Sequence, residues 1–117
     1  MKIFESELKV MEMLWARGDL TAGQLAKLLS ESTGWNRNTT YTVIKKLVEK
    51  GAVERREPGF LCHVLITREE VCRSEADDLI DRLFSGSPEL LLTACLSGRK
   101  LNPEEIARLR ALVDALE

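Results

Sequence analysis

No C-x-x-C pair, one histidine and no glycine-rich phosphate loop: the chain is short of the residues from which most metal and catalytic sites are built. Its three cysteines, Cys62, Cys72 and Cys95, are odd in number and lie ten and twenty-three residues apart, which argues against a disulfide framework or a metal site. Burial as a small apolar side chain is the expected fate of each. Only Cys62, beside His63, is placed for a thiol-based redox response. No serine or cysteine stands in a nucleophile-elbow sequence. Glu69-Glu70 and Glu104-Glu105 are paired carboxylates, but both fall in first helical turns, where negative charge complements the helix dipole. An enzyme is not expected, nor a cofactor or a bound metal. No apolar run reaches the roughly 18 residues a membrane span needs. Met1-Lys2-Ile3-Phe4-Glu5 lacks a signal peptide's apolar stretch, so the cytoplasm is the expected compartment, without membrane insertion.

What the chain does have is apolar content, 44% of 117 residues, enough for one ordinary domain or a small domain with an appended tail. Its most informative stretch runs from Asn36 to Gly51. On a wheel of about 100° per residue, Thr40, Ile44, Leu47 and Val48 gather on one side, while Asn38, Thr39, Thr42 and Lys46 point the other way. Asn36 is placed to cap the first turn and Gly51 to stop the last, giving a helix over 37–50. Taken alone it is an ordinary amphipathic helix. Its outward face, however, carries short hydroxyl and amide groups that suit base edges, followed by Lys45, Lys46 and Lys50, which suit phosphates.

The flanking segments favour that second reading. Leu8, Met11, Leu14 and Trp15 predict a helix from about Ser6 to Arg17, closed by Gly18-Asp19. Thr21-Ala22-Gly23-Gln24 has the form of a capping box, and Leu25, Leu28 and Leu29 extend it into a second helix over roughly 22–31. The polar link Glu31-Ser32-Thr33-Gly34-Trp35 then turns the chain, with Trp15 and Trp35 expected in the core. After the third helix, two β-prone segments, 52–56 and 61–66, flank Glu57-Pro58-Gly59-Phe60 and predict a β-hairpin. The whole is a helix-turn-helix with a wing, on which Arg55 and Arg56 face either a phosphate or solvent.

The net charge of −2 is not that of a nucleic-acid binder until it is divided along the chain. Residues 1–66 hold ten basic and eight acidic side chains; residues 67–117 hold seven and eleven. From Trp35 to Phe60 the count is six basic against three acidic, so the positive charge lies where a winged helix meets phosphate. So small a margin predicts weak binding by one copy. Two copies on one duplex would roughly double the electrostatic contribution.

Residues 67–117 fit that need. Thr67-Arg68-Glu69-Glu70 opens a helix in which Cys72, Ala76, Leu79, Ile80, Leu83 and Phe84 form one stripe until Gly86. Ser87-Pro88 starts a second, apolar almost all round through Leu90, Leu91, Leu92, Ala94, Cys95 and Leu96, and such a helix must be buried. Asn102-Pro103-Glu104-Glu105 starts a third, striped by Ile106, Leu109, Leu112, Val113 and Leu116. Three short helices are small for a core of their own. Two sets joined about a twofold axis would bury the surplus, with Leu79, Ile80, Leu83, Phe84, Leu91, Leu92, Ile106, Leu109, Leu112 and Val113 as the dimerisation residues. The other arrangement folds these helices back onto the winged domain of the same chain.

Glu7-Leu8-x-Val10-Met11-x-x-Leu14-Trp15, Trp35-x-x-x-Thr39-x-x-Thr42 and Leu47-x-x-Lys50-Gly51 together resemble the penicillinase-repressor family, which includes the β-lactamase, methicillin-resistance and copper-transport repressors. The resemblance continues through Phe84-Ser85-Gly86-Ser87 and Leu101-Asn102-Pro103-Glu104-Glu105-Ile106. It implies a dimeric winged-helix repressor that sits on an inverted-repeat operator and leaves on induction. In the antibiotic-responsive members, a triggered membrane sensor leads to proteolysis within the C-terminal helices. The scissile Asn-Phe bond falls on an ungapped match at Ala94-Cys95, so those residues are not kept, and the inducer and route of release stay open. The paired C-terminal cysteines of copper-responsive members are also missing, which argues against copper sensing. Phe60 and His63-Val64 depart from the basic and aromatic residues common in the wing.

The expectation is thus a mainly α protein with a small β-hairpin: a winged helix-turn-helix over 1–66 and a helical dimerisation domain over 67–117. Arg37, Asn38, Thr39 and Thr42 are the expected base-reading residues, and Lys45, Lys46, Arg55 and Arg56 the phosphate contacts. The partners are double-stranded operator DNA, a second copy, and a membrane sensor or protease. A winged-helix protein-interaction module and a small-molecule or redox-sensing regulator are the alternatives.

Overall fold

Residues 1–116 are described by this computed structural model. In chain order they form α1 Glu5–Arg17, β1 Leu20–Thr21, α2 Ala22–Thr33, α3 Arg37–Lys50, β2 Val53–Arg56, β3 Leu61–Val64, α4 Arg68–Leu83, α5 Pro88–Leu96 and α6 Pro103–Asp114. The architecture is mainly α with one small antiparallel sheet of order β1-β3-β2. The chain divides into two compact units, Met1–Asp78 and Leu79–Glu117.

In the first unit, α1, α2 and α3 enclose a core of Val10, Met11, Leu14, Ala22, Leu25, Leu29, Val43, Ile44 and Leu47, closed on one side by Ala52, Val53 and Cys62. The capping box at α2 is formed as the sequence predicts: Gln24 N–H donates to Thr21 Oγ1 at 3.1 Å, and Thr21 N–H to Gln24 Oε1 at 2.8 Å. Gly51 ends α3 in the left-handed region (φ +80°), which costs glycine nothing, and lets Ala52 N–H reach back to Leu47 C=O at 3.0 Å. The wing pairs Val53 with Val64 and Arg56 with Leu61. The sheet's third strand, β1, sets Leu20 opposite Cys62 and Thr21 opposite Leu61. Its two residues are too few to show a period of two in the sequence. Trp15 and Trp35 pack against the core half-buried.

Two features of α3 depart from expectation. Lys50 is not a free phosphate ligand: its Nζ is bonded to Glu7 Oε1 at 2.5 Å, and Glu7 is 1% exposed. Thr40, on the buried face, has a hydroxyl without a partner among the described residues. An unpaired buried hydroxyl costs about 1–3 kcal/mol. Thr40→Val, which keeps the branched shape and removes the oxygen, is therefore expected to raise the urea midpoint, with a gain of about 1 kcal/mol and an unchanged m-value.

The sequence divides the chain after residue 66, whereas the first compact unit extends to Asp78. The first eleven of α4's sixteen residues belong to it. Val71 is 4% exposed within the same core, and Ile3 N–H donates to Glu75 Oε1 at 3.1 Å. Trp15 Nε1 donates to Ile66 C=O at 3.0 Å, just before that helix begins.

In the second unit, Ser87 Oγ caps α5 by accepting from Leu90 N–H at 3.2 Å, and Asn102 and Glu105 form the expected capping box of α6. The apolar composition of α5 predicted burial, yet neither α5 nor α6 contains a buried residue in the single chain. Leu90, Leu92, Ile106, Leu112 and Val113 are all exposed, and Leu96, Leu101, Ile106, Leu109 and Val113 line an open apolar groove. Leu79, Ile80, Phe84, Leu91 and Leu109 are half-buried, and Leu83 is exposed. Helices of nine and twelve residues are too short to make a core of their own. Cys72 and Cys95 are likewise exposed, against the expectation of burial, and only Cys62 is buried.

Candidate nucleic-acid interface

The interface is built on α3, whose start is fixed by Asn36: its Oδ1 accepts Thr39 N–H at 2.8 Å. Burying Thr40, Val43, Ile44 and Leu47 fixes the helix's rotation. Arg37, Asn38, Thr39, Thr42, Lys45 and Lys46 are then all exposed, so the structure brings the four base-reading candidates and two of the phosphate candidates onto one outward surface.

Their side chains are not equivalent. Thr42 Oγ1 donates to Asn38 C=O at 2.8 Å, a bond back to the preceding turn that leaves the methyl and the oxygen lone pairs to face a partner. Arg37 lies over the Tyr41 ring, with Cζ 4.8 Å from its centroid, and donates to the phenol oxygen at 2.7 Å. Its partner is neutral, so its full charge stays available. Lys45 and Lys46 make no ion pair among the described residues.

The wing arginines differ. Arg55 Nε is bonded to Glu57 Oε1 at 2.5 Å, and Arg56 Nε to Glu54 Oε2 at 2.8 Å. Arg55 also stacks 3.8 Å above the Phe60 ring, and that ring meets Tyr41 edge-on, with centroids 5.8 Å apart at 83°. Tyr41 and Phe60 thus join α3 to the wing, a role that sequence reasoning missed. The available signal was Tyr41 four residues after Arg37, on the same helical face.

Cys62, the one thiol placed by sequence for a redox response, is not part of the exposed surface. It is fully buried in β3, and burial pushes its pKa up to about 11, so the reactive thiolate is suppressed. Its neighbour His63 is engaged elsewhere, with Nδ1 2.8 Å from Asp19 Oδ1.

Residues 3–115 match the family model described as penicillinase repressor. The chain belongs to the penicillinase repressor family. It is 24% identical over 115 residues to the penicillinase repressor of Bacillus licheniformis, covering 97% of this chain and 90% of that one. To the methicillin resistance regulatory protein MecI of Staphylococcus aureus (strain N315) it is 21% identical, covering 97% and 94%. These relatives of the penicillinase repressor family are regulators, not enzymes. Among solved structures, the DNA-binding domain of the repressor BlaI aligns with a TM-score of 0.55 at 27% identity, over 59% of this chain and 87% of that one. The monomeric form of Bacillus licheniformis BlaI in complex with the blaP half-operator aligns with a TM-score of 0.54 at 26% identity, over 60% and 88%. The first unit is therefore a winged helix of the penicillinase repressor type. No helix among the described residues is long and apolar enough to cross a membrane.

Proposed function

We propose that this chain is a cytoplasmic, sequence-specific transcriptional repressor that acts as a homodimer on inverted-repeat operators. The observation that carries the reading is the outward surface of α3, where Arg37, Asn38, Thr39, Thr42, Lys45 and Lys46 are exposed together. Amide and hydroxyl groups at the helix's N-terminal end read base edges in the major groove, and the lysines one turn later neutralise phosphates. The relative solved on a half-operator is a monomeric form, which supports one winged unit per half-site. A second copy joined through Leu79, Ile80, Leu83, Phe84, Leu91, Leu92, Ile106, Leu109, Leu112 and Val113 places a second recognition helix on the matching half-site. Induction releases the dimer. The bond at Ala94-Cys95, on exposed residues of α5, is the position at which a sensor-linked protease would remove α6, and with it Ile106, Leu109, Leu112 and Val113, from the dimer seam.

The test is fluorescence anisotropy on the duplex upstream of the chain's own gene and on random duplex, over a range of salt. Thr39→Ala and Thr42→Ala are expected to weaken the operator complex while leaving random binding unchanged, by up to about 1–3 kcal/mol. Lys46→Ala should weaken both alike and reduce the log–log salt slope by about one per bound chain. Equal losses on both duplexes for every variant would contradict the base-reading assignment, and a wild-type chain that binds neither duplex would favour the protein-interaction alternative.

A further inference from the structure

The wing carries its own counter-charges. Glu54 and Arg56 alternate along β2 with Arg55, and Glu57 follows at the turn, so that each arginine is bonded to a carboxylate two residues away. The Arg55–Glu57 pair is the more constrained of the two. Glu57 Oε1 accepts from Arg55 Nε, its Oε2 accepts Phe60 N–H at 3.3 Å, and the Phe60 ring carries the guanidinium on its face. We propose that Glu57 is a specificity-determining residue of the operator complex: it cancels the charge of Arg55 on random duplex, and yields its place to a phosphate only when α3 is seated on matching bases. This rests on the repressor reading above.

The physical case is one of exchange. An exposed ion pair is weakly held, so a phosphate brought into register can replace the carboxylate at little cost. A phosphate met at random, without α3 docked, meets a wing of almost no net charge. Phe60 keeps the guanidinium in position through the exchange, because a ring face holds a cation whichever anion sits beside it. The carboxylate also stays charged. The Arg55 guanidinium and the Phe60 N–H hold Glu57 below the usual carboxylate range, so protonation does not remove it as the acidic surface of DNA approaches. Arg37 has no such device, since its partner is the neutral Tyr41 phenol. The wing's contribution is conditional and that of α3 is not.

The experiment compares the full chain with Glu57→Gln, Arg55→Ala and the double variant, reading anisotropy against salt on upstream and random duplex, with circular dichroism to confirm the fold. Both side chains are about half exposed, which favours folded variants. Glu57→Gln is expected to tighten random binding several-fold at low salt and to steepen its log–log salt slope by about one per bound chain. The operator slope should hardly change, so the specificity ratio falls. In the Arg55→Ala background, Glu57→Gln should do nothing. The proposal is overturned if Glu57→Gln leaves the random slope unchanged, tightens both duplexes by one factor, or acts equally without Arg55. A wild-type chain that binds no duplex overturns the repressor reading and this inference together, a result recognisable before any variant is made.

Discussion

Leu92→Asp combined with Leu112→Asp is expected to leave a folded monomer that binds its operator at least about a hundredfold more weakly than the wild-type chain. Leu92 is 50% exposed and Leu112 65%, and Leu83, Val113 and Leu116 are exposed to similar or greater extents. Large aliphatic side chains exposed on α4, on α5, and on and just after α6 favour association by their chemistry, because each such side chain gains about 1.5–3 kcal/mol when fully covered. Charges placed there cost the association that same gain and add desolvation. Neither substitution removes a buried contact of the single chain, since α5 and α6 have none. The winged unit should accordingly keep its half-site binding and its dependence on salt. What is lost is linkage: the second half-site is no longer bound at the high effective concentration that joining two modules supplies, an effect of about 10²–10⁴. Sedimentation equilibrium should show the wild type as a dimer and the variant as a monomer. A wild-type chain that stays monomeric at high micromolar concentration would remove the dimer from the model. A monomeric variant with undiminished operator affinity would remove dimerisation from the mechanism.

How far the sequence foretells this arrangement depends on the range of the interactions concerned. Caps are local, and Thr21 with Gln24, Asn36, Ser87, and Asn102 with Glu105 all form as their spacing predicts. The rotation of α3 is legible for a related reason: a buried stripe of Thr40, Ile44 and Leu47 fixes which residues must face outward. Pairings across long stretches of chain leave no such trace. Lys50 reads as one more surface cation until Glu7, 43 positions earlier, is found beneath it. Tyr41 and Phe60 carry no mark in the sequence of the edge-on contact that joins α3 to the wing. The exposure of α5 and of Cys95 follows from a third cause. Composition tells that an apolar helix must be covered, but not whether its own chain supplies the cover.

Glu7→Ala is the substitution expected to cost the most stability, about 3 kcal/mol by urea unfolding. Glu7 is 1% exposed, and its Oε1 accepts both Phe4 N–H at 2.8 Å and Lys50 Nζ at 2.5 Å. Lys50 in turn donates to Lys2 C=O at 2.8 Å and lies 4.4 Å over the Phe4 ring. One carboxylate thus fastens the end of α3 to the start of α1. Removing one member of a buried pair typically costs about 3–5 kcal/mol, because the other charge stays in place without a counter-ion. Here the lower end applies, since the Lys50 side chain is 26% exposed and retains the carbonyl and the ring. Glu7 Oε2 has no partner among the described residues, so the intact pair already carries a desolvation cost. Glu7→Ala with Lys50→Met should then recover part of the loss, for with both charges gone neither is stranded. Operator affinity measured well below the unfolding midpoint should be unaffected in Glu7→Ala, in Lys50→Met and in the double variant, because the pair sits at the opposite end of α3 from Arg37, Asn38 and Thr39. A double variant no more stable than Glu7→Ala would mean that Lys50 draws nothing from the carboxylate. A selective loss of operator binding by Lys50→Met would instead return that lysine to the phosphate contacts from which its burial against Glu7 removes it.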